Sequence, residues 1–141
     1  MADSQAIVAN LSTFQRGDSG SPEVFTAVAE VSDIVPGAPT SADIDVTHLT
    51  STAREKRAGL PDLGEMTVTM NLIQGNTVQE AMEDEAGLNI VRHYRVMHPD
   101  GIHGRQYTLI LKTFGTTGFV VDGKIQAIAT FAVSGKATRL P

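Results

Sequence analysis

The stretch with the clearest catalytic likeness is residues 17–22, which read Gly-Asp-Ser-Gly-Ser-Pro. Such a stretch is typical of the region around the nucleophilic serine of serine proteases, where a His acts as base and an Asp orients it. In that arrangement the His and the Asp come before the serine, but only 18 residues precede Ser19 and none is a histidine. Gly, Asp, Ser and Pro are also ordinary turn residues. We therefore interpret the stretch as a hairpin turn.

A second candidate site is the group His98, Asp100 and His103, whose side chains are all possible metal ligands. Metal ligands are normally held on rigid elements and supported by outer hydrogen-bond partners. Here they surround a Pro-Asp-Gly sequence at 99–101, which is typical of a polar surface turn. We predict no metal site.

Four closely spaced carboxylates could in principle perform acid–base catalysis. That chemistry needs a cleft in which neighbouring carboxyl groups have different pKa values. A helix spanning these residues would carry them on its solvated outer face, which is the simpler interpretation of Glu80, Glu83, Asp84 and Glu85. The glycines also form neither GxGxxG nor GxxxxGK[ST]. We therefore expect no catalytic residues, no cofactor and no enzymatic activity.

Composition limits the possible partners. The formal net charge of −5 argues against a broad phosphate-neutralising surface for nucleic acid. The one basic cluster, residues 54–57, is short and contains Glu55. With no cysteine in the chain, disulfides and thiolate chemistry are excluded. No apolar run approaches the roughly 20 residues that would span a bilayer, so we expect no membrane association.

The hydrophobic pattern predicts a mainly β fold of the α+β class: a β-sandwich or partly open barrel of about six to seven strands with one packed helix. We expect one domain over residues 1–141. The cleanest alternation lies at 65–73, and the helix is predicted at 77–86 with Asn76 as N-cap, Gln79 completing a capping box and Gly87 after its end. Asp122-Gly123 favours a type I′ hairpin turn. The other strands are predicted at 7–16, 23–34, 89–97, 105–114 and 125–134.

The long segment at 36–64 shows no convincing strand or helix pattern. Loops longer than about 12–15 residues are uncommon in compact domains and are usually functional or disordered. This segment carries scattered apolar residues, among them Leu49 and Leu60, which a solvated linker would not need. We predict that it is an arm that reaches a neighbouring molecule. The nearly uncharged strand at 125–134 also favours contact with further copies of the chain.

The arm and the strand after it resemble tail tube proteins of long-tailed bacteriophages with non-contractile tails, the lambda-like tail tube family. The likeness lies in Ile44-Asp45-Val46-Thr47, in the stretch Gly59-Leu60-Pro61-Asp62-Leu63-Gly64-Glu65 and in the strand that follows. The segments Asp122–Ile125 and Val133–Gly135 resemble the closing strand of that family. The pattern extends over most of residues 20–136.

The resemblance implies a structural subunit of the virion, assembled in the host cytoplasm, with no added C-terminal immunoglobulin-like domain. Its strands would join a β-barrel ring of six copies, and stacked rings would conduct DNA without binding it specifically. Other tail proteins (tape measure, tail tip and terminator) would be partners. Contacts to the next ring would come from Asp45, Thr47, Leu49, Arg54, Glu55, Arg57 and Leu60. We expect the polar strand face to line the lumen, namely Glu65, Thr67, Thr69 and Asn71.

Two other interpretations stay open on the sequence alone. One is a related ring-forming protein, such as a tail-completion or terminator protein or the tube of a secretion system. The other is a small β-rich enzyme or ligand-binding domain. Open-ended tubes, closed single rings and a persistent monomer would distinguish the three.

Overall fold

The computed structural model describes residues 12–140. Within that range the chain forms strands on both sides of one short helix. The elements are β1 (Thr13–Gly17), β2 (Phe25–Ala27), β3 (Val31–Val35), β4 (Thr40–Asp45), β5 (Lys56–Asp62), β6 (Glu65–Asn71), α1 (Thr77–Glu85), β7 (Val91–Met97), β8 (Gly104–Thr117), β9 (Gln126–Val133) and β10 (Thr138–Leu140).

Eight of the strands form one curled antiparallel sheet. Its order is β2-β1-β7-β8-β9-β6-β3, and β10 pairs with the first residues of β8. The first and last strands of this order, β2 and β3, are joined only by residues 28–30. Because consecutive Cα atoms are about 3.8 Å apart, so short a connection requires the two ends of the sheet to lie close together. The sheet is therefore a partly open barrel, and the predicted fold class is confirmed.

The concave side of this sheet holds the core. On β6, Met66, Val68 and Met70 are fully buried, and they alternate with residues that face outward. Three aromatic rings from different strands meet at the centre: Phe14 stacks on Tyr94 at 5.2 Å between centroids, and Tyr94 meets the edge of Phe131 at 4.9 Å. Since these strands are not all neighbours in the sheet order, the rings hold its curvature.

Helix α1 covers part of the core, with Met82 fully buried. The Asn76 side chain accepts a hydrogen bond from the Gln79 N–H at 3.0 Å, which confirms the N-cap. The Gln79 side chain does not complete the capping box; it accepts from the Ile73 N–H at 2.8 Å and donates to the Asn71 carbonyl at 2.9 Å. Gly87 has φ +81°, as predicted for the residue after the helix.

Several strand predictions need correction. The predicted strand at 23–34 is two strands, β2 and β3, separated at Glu30, whose φ of +52° breaks the extended backbone. The predicted strand at 7–16 lies partly outside the described residues, and its described part corresponds to β1. Neither Asp122 nor Gly123 has a positive φ, so the type I′ turn was wrong. β8 and β9 are connected by the longer loop 118–125 instead.

The expectation that 36–64 contains no strand was also wrong, because β4 and β5 form an antiparallel hairpin there. All six β4 residues are exposed, as are six of the seven in β5. A strand without a buried face has no reason to alternate apolar with polar residues, so periodicity could not reveal it. Pro61 is tolerated because an edge strand needs only some of its N–H groups for pairing.

Candidate assembly surfaces

The β4–β5 hairpin projects from the body as a separate two-stranded sheet. In the described chain neither strand pairs with the eight-stranded sheet. Leu49 and Leu60 are 105% and 94% exposed, and Ile44 is half exposed. At the root of the hairpin, a β-carbon at Gly37 would collide with the backbone of Glu65, so this glycine permits a close approach to β6. The predicted arm is therefore a β-hairpin with exposed apolar side chains.

Polar side chains organise the tip of the hairpin. The Val46 N–H donates to the Glu55 carbonyl at 2.9 Å, and the Glu55 N–H donates to the Thr47 hydroxyl at 2.8 Å. Hydrogen bonds from the Thr47 hydroxyl and backbone N–H lower the pKa of Asp45 below its ordinary value. Arg54 lies 3.7 Å from Asp45. Four of the residues expected to contact another ring thus also hold the hairpin's own shape.

The remaining three residues of that expected set lie differently. The side chains of Leu49, Arg57 and Leu60 are exposed and available to a partner. Lys56, from the same basic cluster, lies 3.8 Å from Asp43 across the hairpin. The side chains of this surface that are free to contact a partner are thus Leu49, Leu60 and Arg57, rather than the whole basic cluster at 54–57.

The four residues expected to line a lumen lie together on the convex face of the sheet. Thr67 and Thr69 are partly exposed and lie opposite Thr130 and Ile128 of β9. Glu65 is exposed but forms an ion pair with Lys112 of β8, with 2.6 Å between Nζ and Oε1. Asp33 of β3 lies opposite Thr69, and the Asn71 side chain donates to Glu30 at 3.4 Å. The face is therefore polar, and its unpaired charges are negative. That it lines a channel stays a prediction.

The structure also shows a basic cleft that sequence reasoning missed. Its volume is about 600 Å³, and it lies between the root of the hairpin and the end of β9 with the following turn. Arg105 of β8 and Arg139 of β10 are directly opposed across the two strands, and Lys136 lies beside them. No carboxylate is among the described residues that line it. Only the pairing of β10 with β8 brings these distant basic residues together.

The serine of residues 17–22 lies in a turn, as expected. The Asp18 carboxylate accepts from the Gly20 and Val24 N–H groups at 2.8 and 3.0 Å, and these bonds lower the pKa of Asp18. His93 lies 2.8 Å from Glu23, whereas the Ser19 hydroxyl lies 3.5 Å from an Arg92 nitrogen. A base positioned to activate Ser19 is not among these contacts, so the arrangement does not match a Ser–His–acid triad.

The group at 98–103 is likewise a turn. His103 Nδ1 lies 2.6 Å from Asp100, and hydrogen bonds from the backbone N–H groups of His103 and Ile102 lower the pKa of Asp100. Across residues 12–140, no three His, Cys, Asp or Glu side chains are grouped so that they could hold a metal ion.

One of the four helix carboxylates was assigned wrongly. Glu80, Glu83 and Asp84 are exposed, but the Glu85 side chain is only 6% exposed. It accepts two hydrogen bonds from Arg92 Nε, at 2.9 and 3.1 Å, and one from Arg16. Charged side chains are rarely buried without a partner, but the sequence did not reveal that β1 and β7 would each supply an arginine here.

Comparison with known proteins defines the class. The model of the family described as lambda phage tail tube protein, TTP, matches residues 11–139. The chain belongs to this family. It is accordingly a structural subunit of a tail tube and part of the virion. No helix of the described part is both long and apolar enough to cross a membrane.

Solved structures share the fold at low sequence identity. The tail of an empty gene transfer agent particle, refined with C6 symmetry, aligns at TM-score 0.72 with 18% identity, covering 96% of this chain and 100% of that one. The SPP1 tail tube aligns at TM-score 0.67 with 13% identity, covering 96% and 79%. The sheath/tube terminator of an extracellular contractile injection system aligns at TM-score 0.74 with 12% identity, covering 99% and 100%. No curated protein sequence matches the chain.

Proposed function

We propose that six copies of the chain close into a ring through their curled sheets, and that rings stack into a tube by means of the β4–β5 hairpin. DNA passes through the tube without specific binding. The chain then has no enzymatic activity of its own, and its partners are further copies and the other tail proteins, including tape measure, tail tip and terminator. The observation that carries the proposal is the hairpin.

A two-stranded hairpin on its own is at best marginally stable in water. This one exposes Leu49 and Leu60 almost fully and lacks strand pairing to the body in the described chain. Burying each leucine against a partner contributes about 1.5–3 kcal/mol. One such contact is offset largely by the entropy of association. Several contacts made together around a ring would act as a multivalent interaction and be far stronger.

The sheet geometry suits a wide channel. The strands β8, β9, β6 and β3 lie consecutively in the sheet order. Four strands from each of six copies, at about 4.8 Å spacing and about 40° tilt, give a circumference of roughly 150 Å. The barrel is then about 48 Å across between backbones, and roughly 35–40 Å after side chains are subtracted. That width admits a hydrated DNA duplex.

The convex face fits the wall of such a channel. Thr67 and Thr69 are uncharged, Asn71 is polar, and the carboxylate of Glu65 is neutralised by Lys112. A wall with free basic residues would bind phosphates and release counterions, which would slow DNA movement. A polar wall whose unpaired charges are the carboxylates of Glu30 and Asp33 would not bind phosphates in this way.

Negative-stain electron microscopy of the purified protein tests the proposal directly. We expect open-ended tubes with a regular axial repeat. The matched variant replaces residues 42–60 with Gly-Gly, because Ser41 and Pro61 are paired across the hairpin and a two-residue turn can connect them. It should keep the circular dichroism of the eight-stranded sheet but form no long tubes. Leu49→Ser with Leu60→Ser is the milder variant and should shorten the tubes.

A variant without the hairpin that still forms long tubes would overturn its role in stacking. Closed single rings of the wild-type chain would favour a second function, that of a terminator. The likeness to an injection-system tube terminator at TM-score 0.74 makes that outcome worth measuring. A strictly monomeric chain at high concentration would refute self-assembly altogether.

A further inference from the structure

The basic cleft contains an arrangement that is unfavourable within a single copy. Arg105 and Arg139 are direct partners in the β8–β10 register. Like charges placed directly opposite each other across two strands destabilise a sheet. Lys136 adds a third positive charge to the same cleft, and its described lining contains no carboxylate. The chain as a whole has a net charge of −5, so this local excess of positive charge is unusual. An anionic group from another molecule would relieve the repulsion.

The shape of the cleft favours a protein segment as that group. Its walls include apolar surface from Pro36, Leu63 and Val133 as well as the three basic side chains. Arg side chains form forked hydrogen bonds with carboxylates, which adds geometric specificity to the charge attraction. A carboxylate-bearing surface that also offers some apolar contact would fit better than a small inorganic anion.

A matching acidic surface exists on the chain itself. Glu80, Glu83 and Asp84 are exposed and spaced so that they share one face of helix α1. The last turn of the helix carries no basic residue, and no salt bridge within residues 12–140 involves these three carboxylates. The helix face therefore stays negatively charged in an isolated copy.

The two surfaces are not paired within one molecule. No salt bridge within residues 12–140 joins a helix carboxylate to Arg105, Lys136 or Arg139. The helix is attached to the sheet elsewhere, by Gln79 to Asn71 of β6 and by the Gly87 N–H to the Leu111 carbonyl of β8. A surface on one copy that fits a different surface on the next copy makes a head-to-tail contact. Contacts of this kind propagate into open assemblies rather than closing on themselves.

We propose that the cleft formed by Arg105, Lys136 and Arg139 receives the acidic face of helix α1 from a second copy of this chain. The contact rests on the proposed self-assembly. It adds an electrostatic attraction that sets how neighbouring copies align and in which direction they stack. Because both surfaces are exposed, each charge pair is individually weak and screened by salt. Its repetition in every subunit is what makes it effective.

The test measures the critical concentration for tube formation by sedimentation and light scattering. Arg139→Glu should raise it roughly two- to fivefold for each ion pair that is lost. Glu83→Lys should have the same effect. The chain carrying both changes restores opposite charges between copies and should return to within about twofold of wild type. Arg139→Lys keeps the charge and should stay close to wild type, and Lys124→Glu is the control matched for net charge.

The swap should also be reproduced by a second pair, Arg105→Glu with Glu80→Lys, and circular dichroism should confirm that each variant is folded. No rescue by the combined changes, in a wild-type chain that does form tubes, would overturn the helix as occupant while leaving the proposed function intact. Tight binding of duplex DNA that is abolished by Arg139→Glu would assign the cleft to phosphate and also overturn it. A wild-type chain that forms no assembly would refute the proposed function and this contact together.

Discussion

The buried carboxylate of Glu85 leads to a quantitative prediction about folding. It accepts hydrogen bonds from Arg92 on β7 and from Arg16 on β1, so one side chain attaches helix α1 to two strands of the sheet. Arg92 also donates to the Gly17 carbonyl at 2.9 Å, which joins the last residue of β1 to the same cluster. We expect Glu85→Ala to destabilise the folded subunit strongly.

The size of the effect follows from burial. Removing one member of a buried ion pair costs about 3–5 kcal/mol, because the remaining charge stays desolvated without a partner. The side chains of Arg16 and Arg92 are 17% and 16% exposed, so they can recover part of their hydration. We therefore expect a loss at the lower end, about 3 kcal/mol, in the free energy of unfolding. For a chain of this length that corresponds to a fall in Tm of about 10 °C.

The assay is urea unfolding followed by circular dichroism, at a protein concentration below that needed for assembly. Glu83→Ala is the matched control, since Glu83 is exposed on the same helix, and it should change stability by no more than about 0.5 kcal/mol. Glu85→Gln keeps the shape of the side chain but removes its charge, so it separates electrostatics from packing. Equal stability of Glu85→Ala and Glu83→Ala would refute the reasoning.

Three further predictions concern the channel face, the core and the hairpin. Thr67→Lys adds a free positive charge to the polar convex face and should slow DNA ejection without changing tube length. Thr67→Ser is the control and should leave both ejection and tube length unchanged. The measurement is the ejection kinetics of assembled particles, and unchanged kinetics with a lumenal Thr67 would contradict the argument that the wall must lack free positive charge. Burial raises the pKa of Tyr94 to about 12, so the folded state favours the neutral phenol. This contribution to stability is complete below pH 10 and is lost as the pH rises to 12, by roughly 3 kcal/mol. Ultraviolet titration follows the ionisation of tyrosine directly in this chain, which has two tyrosines and no tryptophan. Ionisation of both tyrosines near pH 10 would contradict the raised pKa of Tyr94. Hydrogen bonds from Thr47 lower the pKa of Asp45, so the hairpin tip should lose protection against hydrogen exchange as the pH falls below about 4. The protection factor of the Thr47 amide, which is corrected for the intrinsic exchange rate at each pH, should fall in wild type and stay constant in Asp45→Asn.

Local signals in the sequence predicted those parts of the fold whose chemistry is short-range. The alternation of Met66, Val68 and Met70 with polar residues fixed which side of β6 is buried, because successive side chains on a strand point to opposite faces. Asn76 and Gly87 marked the ends of helix α1, because helix termini need a side-chain acceptor at one end and a left-handed residue at the other. The family resemblance also came from the sequence.

Tertiary structure decided what depends on partners distant along the chain. The hairpin at 40–62 has no buried face, so no hydrophobic period announced it. Glu85 looked like its solvated neighbours until β1 and β7 placed Arg16 and Arg92 beside it. The opposition of Arg105 and Arg139 exists only because β10 pairs with β8. Patterns along the chain report which way a residue faces, whereas the groups it meets there are determined by strand order and the curvature of the sheet.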